Sequence, residues 1–276
     1  MNINVIHAAH IDTLSIYSSA MRKNIPVIVT VPDKICKSLP SIYLLHGFGD
    51  SYCNGWINKV KGILQYADRY NCLFVMPDGG FSSWYFDSPV DSTFCYETFI
   101  ANELVNYIDH HYPTAADVMK RAITGNSMGG HGALFLAIRH PEVFGAAGSM
   151  SGGVNLCPYP DSFDIAKRLG SYQDYPQRWR EYSIVGLIEK YTDNLPEMII
   201  DCGTEDFFYN DNLLLHQKLL QLHIPHDYLT RLGSHEWAYW SNAIQYQLLF
   251  FDLFFQKSSK NRQAVHKSIG NFAGKT

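Results

Sequence analysis

The residues Gly125-Asn126-Ser127-Met128-Gly129 separate the short apolar run "RAIT" from the longer one "GGHGALFLAI". A serine between two glycines at such a junction restricts the fold strongly. The backbone has to turn sharply, glycine removes the Cβ atoms that would collide in the turn, and the serine hydroxyl is thrust outward. A turn of this kind needs a buried strand before it and a helix after it. The competing reading, a flexible loop that merely contains Ser127, holds only if both strand and helix are absent.

The surrounding pattern supplies both. Two alternating segments, "TLSIYSSA" and "IPVIVTVP", read as antiparallel strands at a sheet edge. Six short apolar runs follow, each ending in turn residues: "SIYLLHG", "CLFVMPDG", "RAITGNS", "AAGSMSGG", "EMIIDCG" and "HDYLTRLG". Runs without alternation suit parallel strands covered on both faces. Helical periodicity fills the gaps in "YETFIANELVNYIDHHY", "GHGALFLAIRHP", "NDNLLLHQKLLQLHIP" and "HEWAYWSNAIQYQLLFFDLFF". Strand–helix alternation predicts an α/β fold, a mainly parallel central sheet with helices on both faces. Residues 154–195, rich in Pro, Tyr, Asp and Arg, read as a short insertion over the sheet's carboxyl edge. One domain is expected over 1–256, with a polar tail over 257–276.

Composition narrows the function. A hydrophobic fraction of 46% provides for a sizeable core, and a net charge of −4 with no basic stripe argues against a nucleic-acid partner. No apolar run has the length to span a bilayer, so no membrane partner is expected. The N-terminus lacks the basic start and apolar run of a leader. The cytoplasm is therefore the default expectation, with export following if a leader was removed. The six cysteines form no C-x-x-C pair and no zinc spacing, so no metal and no cofactor is expected, and most should be buried thiols. A homo-oligomer is left open.

If Ser127 is a nucleophile, it needs oxyanion donors, an acid and a base. Met128 N–H, at a helix N-terminus, is one expected donor. Phe48 N–H in "LLHGFGD" is the other, with Gly47 letting the backbone come close. The segment "EMIIDCGTEDFF" offers Asp201, Glu205 and Asp206. Asp201 is still inside the strand run and suits a structural role, and Asp206 is preferred over its competitor Glu205. Among 12 histidines, His235 in "LGSHEW" lies between the last strand and the final helix, where the base belongs. His131 lies a turn along the helix from Ser127 and reads as packing. Trp56, Trp84 and Tyr85 are expected to border the site and touch substrate, and Phe207 and Phe208 to pack the loops. With no long apolar lid visible in 154–195, short acyl or hydroxycinnamoyl esters are expected over long-chain lipids.

The chain order Ser127, Asp206, His235 is that of the α/β-hydrolases. The segments "YLLHGFGD", "NGW", "MPDG", "SWYFDSP", "YETFI", "GNSMGGHGAL", "HPEVFGAAGSMSG", "CGTEDF" and "GSHEW" resemble the esterase D and tributyrin-esterase family. That family takes in feruloyl and acetyl-xylan esterases and is more distantly similar to the mycobacterial mycolyltransferases. The resemblance runs over roughly 12–256. It implies a serine carboxylesterase with Ser127, Asp206 and His235 as triad and Phe48 and Met128 as oxyanion donors. The substrate would be a small-molecule or carbohydrate ester, its alcohol side drawn from plant polysaccharide. Two alternatives share the fold: a thioesterase like S-formylglutathione hydrolase, and a catalytically silent carbohydrate-binding protein.

Overall fold

The structure, a computed structural model, describes residues 8–35, 38–51, 55–191 and 193–272, with side chains to residue 257. Its eight strands are β1 (His10–Ser18), β2 (Lys23–Val31), β3 (Ser41–Leu45), β4 (Leu73–Pro77), β5 (Arg121–Gly125), β6 (Ala146–Met150), β7 (Glu197–Gly203) and β8 (Asp227–Arg231). The helices are α1 (Trp56–Lys59), α2 (Ile63–Tyr70), α3 (Tyr96–Thr98), α4 (Val105–His111), α5 (Met128–Arg139), α6 (Ile165–Leu169), α7 (Pro176–Tyr182), α8 (Ile184–Leu187), α9 (Tyr209–Gln221) and α10 (Trp237–Phe272). A π-helical segment, Phe99–Leu104, joins α3 to α4, so the stripe in "YETFIANELVNYIDHHY" is one rod with a wider turn inside it.

The strands lie in the order β1-β2-β4-β3-β5-β6-β7-β8. β1 and β2 run antiparallel to their neighbours, and the remaining pairs are parallel. This is the α/β-hydrolase arrangement. Every residue of β3, β4, β5 and β6 is buried, which explains why their sequences show no polar alternation. Successive side chains nonetheless serve opposite layers. Tyr43, Leu45 and Ile123 pack with α4, α5 and α9 on one face. Ile42, Leu44 and Ala122 pack with α2 and α10 on the other.

The topology also creates the crevice. From β3 the chain passes to β4 on one side, whereas β5 lies on the other side of β3 and feeds β6 beyond it. Loops leaving the carboxyl ends of β3 and β5 therefore diverge, and a cleft opens between them. The register pairs Leu45 with Gly125, so the residues after each strand face one another across that cleft.

The insertion over 154–195 is built from α6, α7 and α8. The final helix α10 continues through Phe272, so the segment beyond 256 that reads as a polar tail is helical to that point. Cys72 and Cys202 are buried free thiols, as read from the sequence, and Cys95 and Cys157 are half-buried and free. Cys36 and Cys53 lie outside the described residues. No helix of the described residues is long and apolar enough to cross a membrane.

Candidate active site

Ser127 stands at the end of β5 with φ 55° and ψ −120°, a backbone conformation L-residues rarely adopt. Strain of this kind costs roughly 1–3 kcal/mol and persists only when the surroundings over-determine it. Here Ser127 N–H donates to Met150 O at 2.9 Å, Gly129 N–H to Asn126 O at 2.8 Å, and His131 N–H to Ser127 O at 3.1 Å. The flanking glycines are needed for space. A Cβ on Gly125 would sit 2.6 Å from Leu45 O, and one on Gly129 would sit 2.6 Å from Leu45 C. Eleven of the twelve residues of α5 are buried, so this helix start is anchored in the core.

The loop after β7 and the loop before α10 converge on the serine. His235 Nε2 lies 2.8 Å from Ser127 Oγ. His235 Nδ1 lies 3.0 and 2.9 Å from the two carboxylate oxygens of Asp206. Phe208 N–H donates to Asp206 Oδ1 at 2.8 Å, which fixes the carboxylate from behind. The imidazole is walled by Phe207 at 4.2 Å, Phe208 at 5.4 Å and Trp240 at 4.9 Å between ring centres. Of the rival acids, Glu205 is exposed, and among the described residues the carboxylate bonded to the His235 ring is that of Asp206. Asp201 is buried, accepts from Arg231 at 2.7 Å and from the Tyr239 hydroxyl at 2.5 Å, and holds no catalytic group. Burial pushes its pKa up, offset in part by those two partners.

Gly47 runs against the elbow so closely that a Cβ there would lie 3.2 Å from Ser127 Cβ. This brings the Phe48 amide beside the nucleophile. Among the described residues, neither Phe48 N–H nor Met128 N–H donates to another protein group, while the neighbouring Ser127 and Gly49 amides both do. Two free amides are thus available where an oxyanion would form.

A cleft of about 490 Å³ opens over Ser127 and His235, lined also by Phe48, Asp50, Lys59 and Trp237. A larger depression, about 650 Å³, lies away from it and holds none of these residues. It is lined by the ion pairs Arg121–Asp109 and Arg139–Glu97.

The aromatic expectations need correction. Trp56, Trp84 and Tyr85 are all buried and none lines the cleft. Trp56 donates to Leu45 O at 3.2 Å and meets Trp237 edge-on, Trp84 donates to Phe163 O at 2.9 Å, and Tyr85 donates to His46 O at 3.0 Å. They brace the loops rather than offer a face to substrate. The exposed rings are others. Phe81 and Phe207 are each more than half exposed, and Phe207, expected to pack, lies over His235. Phe48 links Phe81 (4.8 Å) to Phe163 (5.7 Å), and Phe163 lies parallel to Phe207 at 6.1 Å, so a chain of four phenyl rings runs from Phe81 through Phe48, which lines the cleft, to Phe207 against His235. Phe208 is buried, as expected. His131 is buried too, with Nε2 2.8 Å from Tyr182 O and no contact with Ser127 Oγ. No cluster of His, Cys, Asp or Glu among the described residues could hold a metal ion.

Fold and site together define an α/β-hydrolase with a serine at its elbow. The chain belongs to the Esterase family, whose pattern it matches over residues 18–251. It is 24% identical over 262 residues to an acetyl esterase of Caldicellulosiruptor saccharolyticus, covering 84% of this chain and 94% of that one. A ferulic acid esterase structure is 25% identical, covers 90% of this chain and 99% of its own, and superposes with a TM-score of 0.76. A substrate-bound fluorophosphonate-binding serine hydrolase of Staphylococcus aureus is 22% identical and covers 89% of this chain and 99% of its own, with a TM-score of 0.78. The protein is a carboxylic ester hydrolase.

Proposed function

We propose that the esterase works through Ser127, His235 and Asp206 by way of an acyl-enzyme, on short acyl and hydroxycinnamoyl esters of hydroxylated alcohols such as sugars. The observation that carries this is the unbroken line of contacts from Ser127 Oγ through the His235 ring to Asp206. His235 Nε2 takes the hydroxyl proton as Oγ attacks the ester carbonyl. Asp206 holds the Nδ1–H tautomer and steadies the imidazolium. The tetrahedral oxyanion receives hydrogen bonds from Phe48 and Met128 N–H, each such donor being worth about 3 kcal/mol of barrier. His235 returns its proton to the departing alcohol, and water, activated by the same imidazole, releases the acid.

The substrate class is supported by the shape of the surroundings. Phe48 in the cleft wall and Phe207 against His235, with Phe81 and Phe163 packed on Phe48, offer apolar faces near the nucleophile, which suits an aryl or short acyl group. Asp50, Lys59 and Trp237 line the polar cleft, which suits a hydroxylated alcohol. The names of the relatives, acetyl esterase and ferulic acid esterase, agree with this reading.

The test is Ser127→Ala, assayed on p-nitrophenyl acetate, methyl ferulate and p-nitrophenyl palmitate, together with labelling by a fluorophosphonate. The variant should fold, lose labelling and retain less than about a hundredth of wild-type turnover, since triad losses reach about a millionfold. Turnover above that level would place the nucleophile elsewhere. A wild-type preference for palmitate would overturn the substrate class while leaving the mechanism intact.

A further inference from the structure

His46 and Tyr85 form a buried unit that touches neither Ser127 Oγ nor the His235 ring. Gly79 N–H donates to His46 Nε2 at 2.8 Å. An amide can only donate, so Nε2 is the bare nitrogen and Nδ1 carries the proton. Nδ1 lies 2.9 Å from Gly47 O, and it therefore donates to that carbonyl. Asp78 Oδ1, at 3.7 Å from Nε2, is beyond hydrogen-bond range. The carbonyl just upstream, His46 O, accepts from the Tyr85 hydroxyl at 3.0 Å. Two successive carbonyls of the loop are thereby held by buried side chains.

The consequence follows from peptide geometry. Gly47 C=O and Phe48 N–H belong to one planar trans unit, so they point in opposite directions. Fixing the carbonyl toward His46 fixes the Phe48 N–H away from it, on the side where Gly47 abuts Ser127. Tyr85 is itself placed at some cost. It and Trp84 have φ of 61° and 54°, both left-handed, and the Tyr85 ring fills space that a Cβ on Gly79 or Gly132 would occupy. Gly79 thus serves twice, as donor to His46 and as room for Tyr85. The adjacent Trp84 N–H lies 3.3 Å from Met128 Sδ, so the same turn also contacts the residue that carries the second amide.

We infer that His46 and Tyr85 are positioning residues that aim the Phe48 amide at the reaction's oxyanion. This rests on the proposed acyl-enzyme mechanism at Ser127, and the experiment separates the two.

Substitutions at His46 divide its two hydrogen bonds. His46→Asn keeps a donor near the Nδ1 position for Gly47 O and gives up the acceptor for Gly79 N–H. His46→Gln keeps the acceptor and gives up the donor. Assayed on p-nitrophenyl acetate, His46→Gln should lower kcat by about 30- to 100-fold with KM within about threefold, a large part of what a lost oxyanion donor costs. His46→Asn should stay within about tenfold of wild type, although both variants lose one bond and should show similar falls in Tm. Tyr85→Phe, which removes only the hydroxyl, should lower kcat about fivefold. The Kd of an arylboronic acid, whose tetrahedral adduct places an oxygen in the hole, should rise in step with the loss of kcat/KM. The acidic limb of the pH profile should not move, because His235 is untouched. If Gln and Asn variants lose activity equally and in proportion to Tm, or if kcat is unchanged in all three, the positioning role is wrong. Ser127→Ala in the same assays keeps the failures apart, since an active Ser127→Ala would overturn the underlying mechanism instead.

Discussion

At the scale of single residues, burial rather than spacing decides which carboxylate serves His235. Glu205 and Asp206 are adjacent, and nothing in "CGTEDFF" separates them beyond the expected position past the turn. In the structure Asp206 is enclosed beneath the imidazole and held by Phe208 N–H, while Glu205 faces solvent. Asp206→Asn should lower kcat by about three to four orders of magnitude, because the amide favours the wrong tautomer of the histidine. Glu205→Gln should stay within about threefold. Steady-state kinetics on one short ester checks both, and a larger loss at Glu205 would reverse the assignment. That Ser127, His235 and the two amides lie together was legible because each follows a strand end whose chain position the turn chemistry marks. The rings that rim the cleft were not. Trp84 and Tyr85 stand in a polar stretch and look exposed, but Gly79 together with Gly132 and Gly153, which are distant in sequence, leaves the holes that swallow them. Phe207 looks like a packing residue, but its neighbour Phe208 takes the buried place.

At the scale of elements, the parallel strands and long helices were readable because burial on both faces imposes continuous apolar runs, and a stripe imposes period 3.6. The insertion was less so. α6, α7 and α8 are four to seven residues long, too short for periodicity to show, and owe their form to contacts such as Trp179 Nε1–H to Gly170 O at 2.9 Å. The insertion also packs against rings beside the site through Phe163, a φ 56° residue whose ring lies between Phe48 and Phe207. Phe163→Ala should therefore act on acyl preference. Aromatic contacts contribute about 0.5–1.5 kcal/mol beyond burial, so kcat/KM for methyl ferulate should fall by about 2- to 13-fold. The rate on p-nitrophenyl acetate should change less than about threefold. Equal losses on both esters would mean that Phe163 supports the loop instead of meeting the acyl group.

At the scale of the whole molecule, the sheet is packed on both faces, and a polar group sealed in either layer ties the stability of the entire domain to its own titration. His131 is such a group. It is fully buried on α5 between the rings of Trp84, Phe86 and Phe135, with Nε2 2.8 Å from Tyr182 O. Burial pushes its pKa down to about 4, against an ordinary value of 6.5, with backbone hydrogen bonds opposing the shift. The sign then follows from proton linkage. Below pH 6.5 the unfolded chain takes up a proton that the native state refuses. Stability therefore falls as pH drops from about 6.5 to 4, and this contribution levels off below that. At about 1.4 kcal/mol per pH unit the loss is on the order of 3 kcal/mol. His140 works in the other direction. Its hydrogen bond to Glu97 raises its pKa, so the stability it adds is present below 6.5 and fades as pH rises through the folded value. His140 is half-exposed and its contribution is screened, so the His131 effect should dominate. Urea unfolding followed between pH 7 and 4.5 should show a clear loss of stability in the wild type. His131→Gln can still donate to Tyr182 O but cannot titrate, and it should flatten that slope by up to one proton's worth. Parallel slopes in the two proteins would show that His131 is not the group through which acid reaches the fold.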